Sequence, residues 1–371
     1  MKTAIITDFL NQLGGAEIVT HQIATLFPEA DIFTMMAEQE VVDTYFGNHR
    51  IIEHPKMKDS GWRRRHYRKL LPLYPTYVED FDLRAYDLVI SSSYLWAKGI
   101  LCRPRTLHIS YVHTPMRQAW IKYHEYLKNE NDIGRFTRTA LRYVMNYLRL
   151  WDQSTANRVD YFIANSTTVQ RRIKKIYQRK SKVIHPPIKV QKYRNLEAER
   201  GDYYITVGRL VPYKRVDLLV ETFNQLPDKK LYILGSGNDM DRLKDLKKSE
   251  NIHFKGFVDE DTKTKLTAGA KAFLFAAEED FGMSPVEAMA VGTPVIGYGR
   301  GGTRDYIKPN INGQFFNNQS VKSLTNAIHR FEQQEFDHRE IRNSVRPFDE
   351  SEFIKHMQSF IDDKLQEHAY Q

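Results

Sequence analysis

The chain has 371 residues, of which 41% are hydrophobic and 27% are charged, and it contains a single cysteine. This length favours two domains, the composition excludes a disordered protein, and the lone Cys102 excludes an internal disulfide and a cysteine-based zinc site. Residues 1–200 hold 32 Lys and Arg against 20 Asp and Glu, whereas residues 201–371 hold 23 against 26, so the excess positive charge lies in the first half.

The first apolar run, residues 4–7, is typical of a buried strand. Asp8 ends it too early for the hydrophobic region of a signal peptide, and no later run reaches the roughly 18 apolar residues that span a membrane. We therefore expect a cytoplasmic protein, in which a free thiol is stable. Gly14 and Gly15 follow this strand and precede a helical pattern. The pair suits the close approach of a phosphate or a sugar, but a plain turn explains it equally well.

Two stretches of the first half mix cations with aromatic residues, at 62–71 and at 135–151. Trp and Tyr favour a membrane interface, and each nearby cation strengthens adsorption to acidic lipid by about 1 kcal/mol. The alternative is an ordinary solvated basic face. Nucleic acid is not expected as a partner, because no recognition helix, zinc finger or RNA-binding aromatic signature accompanies the charge. We predict docking to an anionic membrane surface.

Short apolar runs alternate with longer helical patterns along the whole chain, which predicts βαβ units and parallel sheets buried on both faces. Further strands are predicted at 87–90, 108–112 and 161–164 in the first half, and at 203–207, 231–234, 252–254, 272–275 and 294–297 in the second. Pro186 and Pro187, followed by the polar segment 189–202, indicate a linker. The predicted division is two doubly wound α/β domains, 1–190 and 191–350, with a C-terminal helix in 351–371.

Two cations, Arg209 and Lys214, follow the predicted strand 203–207. Ligands of parallel sheets bind beyond the carboxyl ends of the strands, and an Arg fork with a Lys point charge near a helix start suits a diphosphate. On their own, the two residues are equally compatible with solvated surface cations.

A more specific segment follows the predicted strand 272–275. Gly282 allows the backbone to approach a ligand, Ser284 is predicted to cap the next helix with Pro285 at its first position, and Glu287 then falls in the first turn. Glu279 precedes the turn. Two carboxylates on either side of a helix N-terminus can bind hydroxyls on two parts of one ligand. A favourable interaction with the helix dipole would explain Glu287 alone, but not the Phe-Gly turn beside it.

Together these motifs resemble the retaining family-four glycosyltransferases of GT-B fold, whose hallmark is two glutamates separated by seven residues, as Glu279 and Glu287 are here. The resemblance covers most of residues 201–315, and the segments 111–117 and 212–217 look most like the mannosyltransferase branch of bacterial polysaccharide synthesis. It implies two Rossmann-like domains that face a central cleft. The first would bind the acceptor and the second the donor, and the C-terminal helix would cross back to the first domain.

The resemblance also implies roles for matching residues. Arg209 and Lys214 would hold the donor's diphosphate, Glu287 its ribose and Glu279 a hydroxyl of its sugar. His113 matches the family's active-site histidine, which contacts the donor sugar; without the resemblance, a loop histidine bonded to a backbone carbonyl is the simpler interpretation. The remaining donor-binding positions, of which 281–284 would act through backbone amides, are Gly14, Gly15, Phe257, Val258, Phe281, Gly282, Met283 and Ser284.

The implied function is retaining transfer of a hexose, with mannose favoured, from a nucleoside-diphosphate sugar to a glycan or lipid-linked acceptor at the inner face of the cell membrane. No cofactor and no metal are expected. Asp239 and Asp241 spell a metal-binding pattern, but they open a helix, where capping and the dipole explain both acids. Two alternatives stay open: a GT-B-like partner subunit without turnover, and a sugar-nucleotide epimerase.

Overall fold

The computed structural model describes residues 1–128, 135–193, 196 and 198–369. The chain forms two compact units, one of residues 1–187 with 353–371 and the other of residues 188–352. Residues 194, 195 and 197 of the predicted linker lie outside the described part.

The first unit is built on a seven-stranded sheet in the order β3-β2-β1-β4-β5-β6-β7, with every neighbouring pair parallel. Strands β1, β4 and β5 are buried along their whole length, as expected for a sheet covered on both faces. The strands are β1 Thr3–Thr7, β2 Asp31–Thr34, β3 Ile51–Glu53, β4 Leu88–Ser93, β5 Leu107–Val112, β6 Tyr161–Ala164 and β7 Ser181–Val183. The helices are α1 Gly15–Thr25, α2 Gln39–Tyr45, α3 Pro55–Lys58, α4 Gly61–Arg65, α5 Tyr74–Glu79, α6 Arg117–Trp120, α7 Tyr123–Lys128, α8 Arg135–Thr155 and α9 Thr167–Ile176.

The second unit is built on a six-stranded parallel sheet in the order β10-β9-β8-β11-β12-β13. Its strands are β8 Tyr203–Val207, β9 Lys230–Leu234, β10 Ile252–Gly256, β11 Ala272–Phe275, β12 Val295–Tyr298 and β13 Gly313–Phe316. Its helices are α10 Val216–Asn224, α11 Met240–Leu246, α12 Glu260–Ala268, α13 Met283–Ala290, α14 Val321–Glu332 and α15 His338–Ser344. Both sheets are doubly wound, which is the α/β architecture that the sequence predicts.

The last helix, α16 Glu350–Ala369, belongs to the first unit from Phe353 onward. Phe353, Met357 and Ile361 are buried in the same apolar cluster as Ile5 and Tyr111. This spacing of four residues puts the three side chains on one helix face. The helix is thus an integral part of the first unit's core.

Several strands escape the sequence analysis. Three of the four that were missed, β3, β7 and β13, are at the edges of their sheets. An edge strand pairs on one side only and has more access to solvent, and β3 and β7 are only half-buried or partly exposed. Such strands lack the continuous apolar run by which the buried strands were recognised. The fourth, β2, is buried but has only four residues.

Candidate functional site

The loop between β11 and α13 carries the two glutamates of the predicted site. Gly282 adopts φ +84, and a Cβ there would lie 3.0 Å from the ring of Phe275 and 3.2 Å from the hydroxyl of Tyr306. The position therefore requires glycine. The predicted cap at Ser284 is wrong, because the helix begins at Met283 with Gly282 at the cap position and no side-chain cap bond. Glu287 is consequently the fifth helical residue, in the second turn and not the first.

A pair of glycines supports the backbone around Glu279. The amide of Gly302 donates to the carbonyl oxygen of Glu279 at 2.8 Å, and a Cβ on Gly301 would lie 2.3 Å from that same oxygen. A Cβ on Gly302 would lie 2.3 Å from the Cα of Phe281. Side chains at 301 and 302 would therefore push the two loops apart. The glycines fix the position of Glu279 by close backbone packing.

Glu279 forms an ion pair with Lys214, which lies in the 3-10 turn Pro212–Lys214 after β8. The two side chains are only 15% and 19% exposed. Strands β8 and β11 are neighbours in the sheet, so their following loops meet at its carboxyl edge. The structure thus brings together the residues that the resemblance assigns to the sugar and to the diphosphate.

The other predicted donor-binding residues of this unit have different surroundings. Arg209 is exposed in the loop after β8, and Phe257 is 85% exposed after β10. Val258 packs against the core. Phe281 is buried against the rings of Tyr306 and Phe348, so its side chain serves the core and only its backbone can contribute to a ligand site.

Glu287 and Ser284 line a pocket of the second unit with an empty volume of about 310 Å³, which includes its opening to solvent. Lys263 Nζ is 4.0 Å from Glu287 Oε2 and 2.7 Å from Glu260 Oε2. Burial raises the pKa of Glu287, and the ammonium of Lys263 opposes that rise. Since 37% of the Glu287 side chain still reaches solvent, the pocket mouth leaves the carboxylate accessible to a ligand.

Four further polar residues of this pocket were not predicted from the sequence, namely Tyr193, Lys263, Thr264 and Thr267. Lys263 and Thr264 are on α12, directly after the loop of Phe257 and Val258. These two residues could have been found from the sequence, because they lie in the first turns of a helix that follows the end of a strand. Tyr193 gave no such signal, because it comes from a short 3-10 turn before β8.

In the first unit, Gly14 is the cap residue of α1 and Gly15 is its first residue. The amide of Gly14 donates to Glu17 Oε2 at 2.9 Å, and the side chain of Glu17 is buried. The loop therefore lies between β1 and a helix, as predicted, but a carboxylate already accepts one of its amide hydrogens. An anion approaching this loop would meet that negative charge as well as the helix dipole.

His113 follows β5 and is 9% exposed. Its Nε2 is 2.9 Å from Ser92 Oγ, and its carbonyl oxygen accepts a hydrogen bond from Asn165 Nδ2 at 3.0 Å. The side chain thus has a hydroxyl partner on β4, rather than only the backbone carbonyl of the simpler interpretation.

Asp239 of the metal-like pattern has an ordinary partner. Both oxygens of Asp239 accept hydrogen bonds from Arg242, at 2.6 and 2.7 Å, and Asp239 makes no cap bond to the backbone. Asp239 is therefore at the N-cap position of α11, as predicted, but its side chain binds the guanidinium of Arg242 instead of capping the backbone. Within the described residues, no group of three or more His, Cys, Asp or Glu is arranged to hold a metal ion.

Helix α8 carries the second of the two basic and aromatic stretches. Tyr143, Tyr147 and Leu150 are exposed, with Tyr143 at 73%. Their spacing of four and three residues puts them on one face, opposite the buried Met145 and Leu148. In the first stretch Trp62 is exposed, whereas Arg64 is bonded to Glu53 and to the carbonyl of Ala37. None of the helices in the described ranges is both long and apolar enough to cross a bilayer.

Comparison with known families gives two adjoining matches. Residues 13–192 match Glycosyltransferase Family 4, and residues 188–348 match Glycosyl transferases group 1. The junction at 188–192 coincides with the division between the two compact units.

Individual proteins give shorter or more distant matches. An uncharacterized glycosyltransferase of Methanocaldococcus jannaschii is 33% identical over 132 residues, covering 33% of this chain and 34% of that protein. The poly(glycerol-phosphate) alpha-glucosyltransferase of Bacillus subtilis is 31% identical over 137 residues, covering 33% of this chain and 20% of that protein. The chain therefore spans about a third of the first relative's length and a fifth of the second's. The structure of Anabaena HepE in complex with UDP superposes with a TM-score of 0.69 at 16% identity, over 98% of this chain and 100% of that one.

Proposed function

Because the chain belongs to the glycosyltransferases of GT-B fold, through a Family 4 domain followed by a group 1 domain, we propose that it transfers a hexose from a nucleoside-diphosphate sugar to a glycan or lipid-linked acceptor, with retention of configuration. The bond between the anomeric carbon and the leaving phosphate oxygen breaks, and a bond to the acceptor hydroxyl forms on the same face. The departing phosphate takes the acceptor's proton. No protein base is then required, so stabilisation of the growing phosphate charge dominates catalysis.

The ion pair of Lys214 and Glu279 is the observation that supports this proposal most directly. In a sugar nucleotide, the sugar is attached to the outer phosphate, so groups that bind the two must be adjacent. Lys214 is adjacent to Glu279, and Glu287 lies farther along the same segment, beside a pocket. We assign Lys214 and Arg209 to the diphosphate, Glu279 to a sugar hydroxyl and Glu287 to the ribose. His113 serves the same reaction as a contact to the donor sugar.

The identity of the donor is a finer part of the proposal. The resemblance to the mannosyltransferase branch favours a guanine nucleotide of mannose, whereas the structurally similar HepE binds UDP. We propose mannose, and UDP-glucose is the competing donor to test. Bacterial cell-surface polysaccharide is the proposed destination of the sugar. Both cations of the diphosphate site come from the protein, and we propose that the reaction proceeds without a metal ion.

A membrane surface is the second partner in the proposal. The exposed stripe of Tyr143, Tyr147 and Leu150 combines interfacial side chains with a unit that carries excess positive charge. Adsorption to anionic lipid would bring the enzyme to a lipid-linked acceptor at the inner face of the membrane. Vesicles of anionic lipid should sediment the protein, and replacing all three residues with serine should reduce the bound fraction several-fold. Equal binding to neutral vesicles would contradict the proposal.

A panel of sugar nucleotides tests the central proposal by thermal shift. A donor at 100 times its Kd stabilises the folded state by about 2.7 kcal/mol, and for a unit of this size that corresponds to roughly 5–10 °C. Glu287→Gln should abolish the shift. Glu332→Gln is a matched control, because this carboxylate is also partly buried but binds Tyr204 and Lys229 at the amino ends of β8 and β9. No shift with any donor would contradict the proposal, and an isomerised sugar nucleotide formed without acceptor would indicate an epimerase.

A further inference from the structure

A chain of hydrogen-bonding side chains leads through the first unit to His113. Thr7 Oγ1 on β1 is 3.3 Å from Thr20 Oγ1 on α1, and Thr20 Oγ1 donates to Ser92 Oγ at 2.9 Å. Ser92 Oγ is in turn 2.9 Å from His113 Nε2. Thr20 and Ser92 are inaccessible to solvent and Thr7 is 1% exposed. Water does not compete for these bonds, so the direction of each one is decided within the protein.

Each hydroxyl carries a single hydrogen, so the acceptor of the Thr20 hydrogen sets the direction of the chain. Thr20 Oγ1 donates to Ser92 Oγ, so the hydrogen of Ser92 is directed to another acceptor. His113 Nε2 lies within hydrogen-bond distance of Ser92 Oγ. Ser92 therefore donates to Nε2, which must carry a lone pair in the neutral ring. The proton of the neutral imidazole is then on Nδ1. Donation from Thr20 Oγ1 to the carbonyl oxygen of Ala16, 3.0 Å away, would instead let Ser92 donate to Thr20 and accept from a protonated Nε2.

We propose that Ser92 and Thr20 are positioning residues for His113, which hold the imidazole by Nε2 and fix its neutral tautomer as Nδ1–H. Thr20 is on the helix that starts at the Gly14–Gly15 loop, so the chain also links the orientation of the ring to that helix. A histidine held in this way acts on a ligand as a hydrogen-bond donor and not as a base. The proposal rests on the proposed function for the role of His113, but the tautomer and the chain are independent of it.

The neighbouring residue supplies a matched control. Ser91 is adjacent to Ser92 on β4, and its Oγ lies 2.9 Å from Nε2 of His108, another buried histidine. Successive side chains of a strand point to opposite faces of the sheet, so Ser91 serves the other face. Ser91→Ala removes a serine–histidine bond of the same length without touching the chain to His113.

Kinetics provide the first test. We expect Ser92→Ala to lower kcat about tenfold while the KM for the donor changes less than about threefold, since the ring loses its orientation rather than its contact. Thr20→Val, which keeps the shape and removes the hydroxyl, should lower kcat by roughly three- to tenfold, and Thr20→Ser should restore it. Ser91→Ala should stay within about twofold of the original protein. Circular dichroism on each variant separates these effects from unfolding.

The ¹⁵N resonances of the His113 ring test the chain without any substrate. In the neutral ring, Nε2 should resonate as an unprotonated nitrogen and Nδ1 as a protonated one, and Ser92→Ala should remove this bias. A protonated Nε2 in the neutral ring would overturn the proposal even if every kinetic effect were found. The measurement also applies if Ser92→Ala fails to fold, because the original protein and Thr20→Val report on the same tautomer.

His113→Ala separates failure of this inference from failure of the proposed function. If His113→Ala abolishes transfer while Ser92→Ala and Thr20→Val do not lower kcat, the positioning role is wrong and the proposed function stands. If His113→Ala is as active as the original protein, the chain is purely structural and the proposal is overturned. If the original protein gives no donor-induced thermal shift, the proposed function itself fails.

Discussion

Replacing Lys214 by alanine tests the assignment of the diphosphate site. The change leaves the carboxylate of Glu279, which is 15% exposed, without its cation. Exposed ion pairs contribute about 0–1 kcal/mol to stability, and removing one partner of a fully buried pair costs about 3–5 kcal/mol. For this partly buried pair we expect a loss of about 2 kcal/mol, or roughly 4–8 °C in Tm for a unit of this size.

The effect on turnover should be larger than the effect on donor binding. Lys214 would meet negative charge that grows on the phosphate only as the glycosidic bond breaks. Removing one preorganised donor to such a charge typically lowers kcat by about 100- to 1,000-fold. We expect a fall in kcat of about 100-fold with less than a tenfold increase in the Kd for the donor. Initial rates with a radiolabelled sugar nucleotide and thermal-shift titrations measure the two quantities separately.

Lys229→Ala is the control for the loss of an ion pair. Lys229 is 15% exposed and lies 3.0 Å from Glu332, but it is at the amino end of β9, away from the proposed site. Lys229→Ala should lower the Tm by less than Lys214→Ala does, because Lys271 Nζ stays 3.3 Å from Glu332 Oε1, and it should leave kcat within about twofold. The double variant Lys214→Ala with Glu279→Gln should regain part of the lost stability and stay inactive, because it removes the unpaired charge. A folded Lys214→Ala protein with unchanged kcat would refute the assignment.

Three further predictions concern the pocket, the fold and the metal. Burial raises the pKa of Glu287, so donor-induced stabilisation should weaken as the pH falls through that raised pKa, above the ordinary value of about 4.3. By linkage, the Glu287 carboxyl contributes fully to the free energy of unfolding below about pH 4.3, and this contribution is lost as the pH rises through the folded-state pKa. Glu287→Gln should therefore raise the ligand-free Tm at neutral pH and match the Tm of the original protein in acid. Asp8→Asn should lower the free energy of unfolding in urea by about 3 kcal/mol. The buried Asp8 carboxylate accepts four amide hydrogens, from residues 94–97, whereas an asparagine side chain offers only one oxygen. A loss below about 1 kcal/mol would contradict this prediction. Chelator should leave the transfer rate within about twofold, and a complete loss that Mg²⁺ restores would show a metal requirement.

The local sequence was sufficient for most of the buried strands and for the fold class. Runs such as 203–207 and 272–275 are apolar because both faces of the strand are covered, and their bounds agree with β8 and β11. The predicted start of α13 is wrong because Ser284 and Pro285 suit a cap and a first position by type, whereas the helix begins two residues earlier, at Met283, after Gly282 with its positive φ. At this position the packing of Gly282 against Phe275 outweighs the preference of Ser284 for a helix cap.

Contacts between distant parts of the chain were decided only by the tertiary structure. The sequence by itself determined two parallel-sheet domains, the strand ends at which a site must lie, and the spacing of Glu279 and Glu287. It could not determine that Glu279 pairs with Lys214, that Lys263 stands beside Glu287, or that Ser92 reaches His113. Hydrophobic periodicity reports which face of one segment is buried, whereas each of these contacts depends on the order of the strands in the sheet and on how far the side chains reach across it.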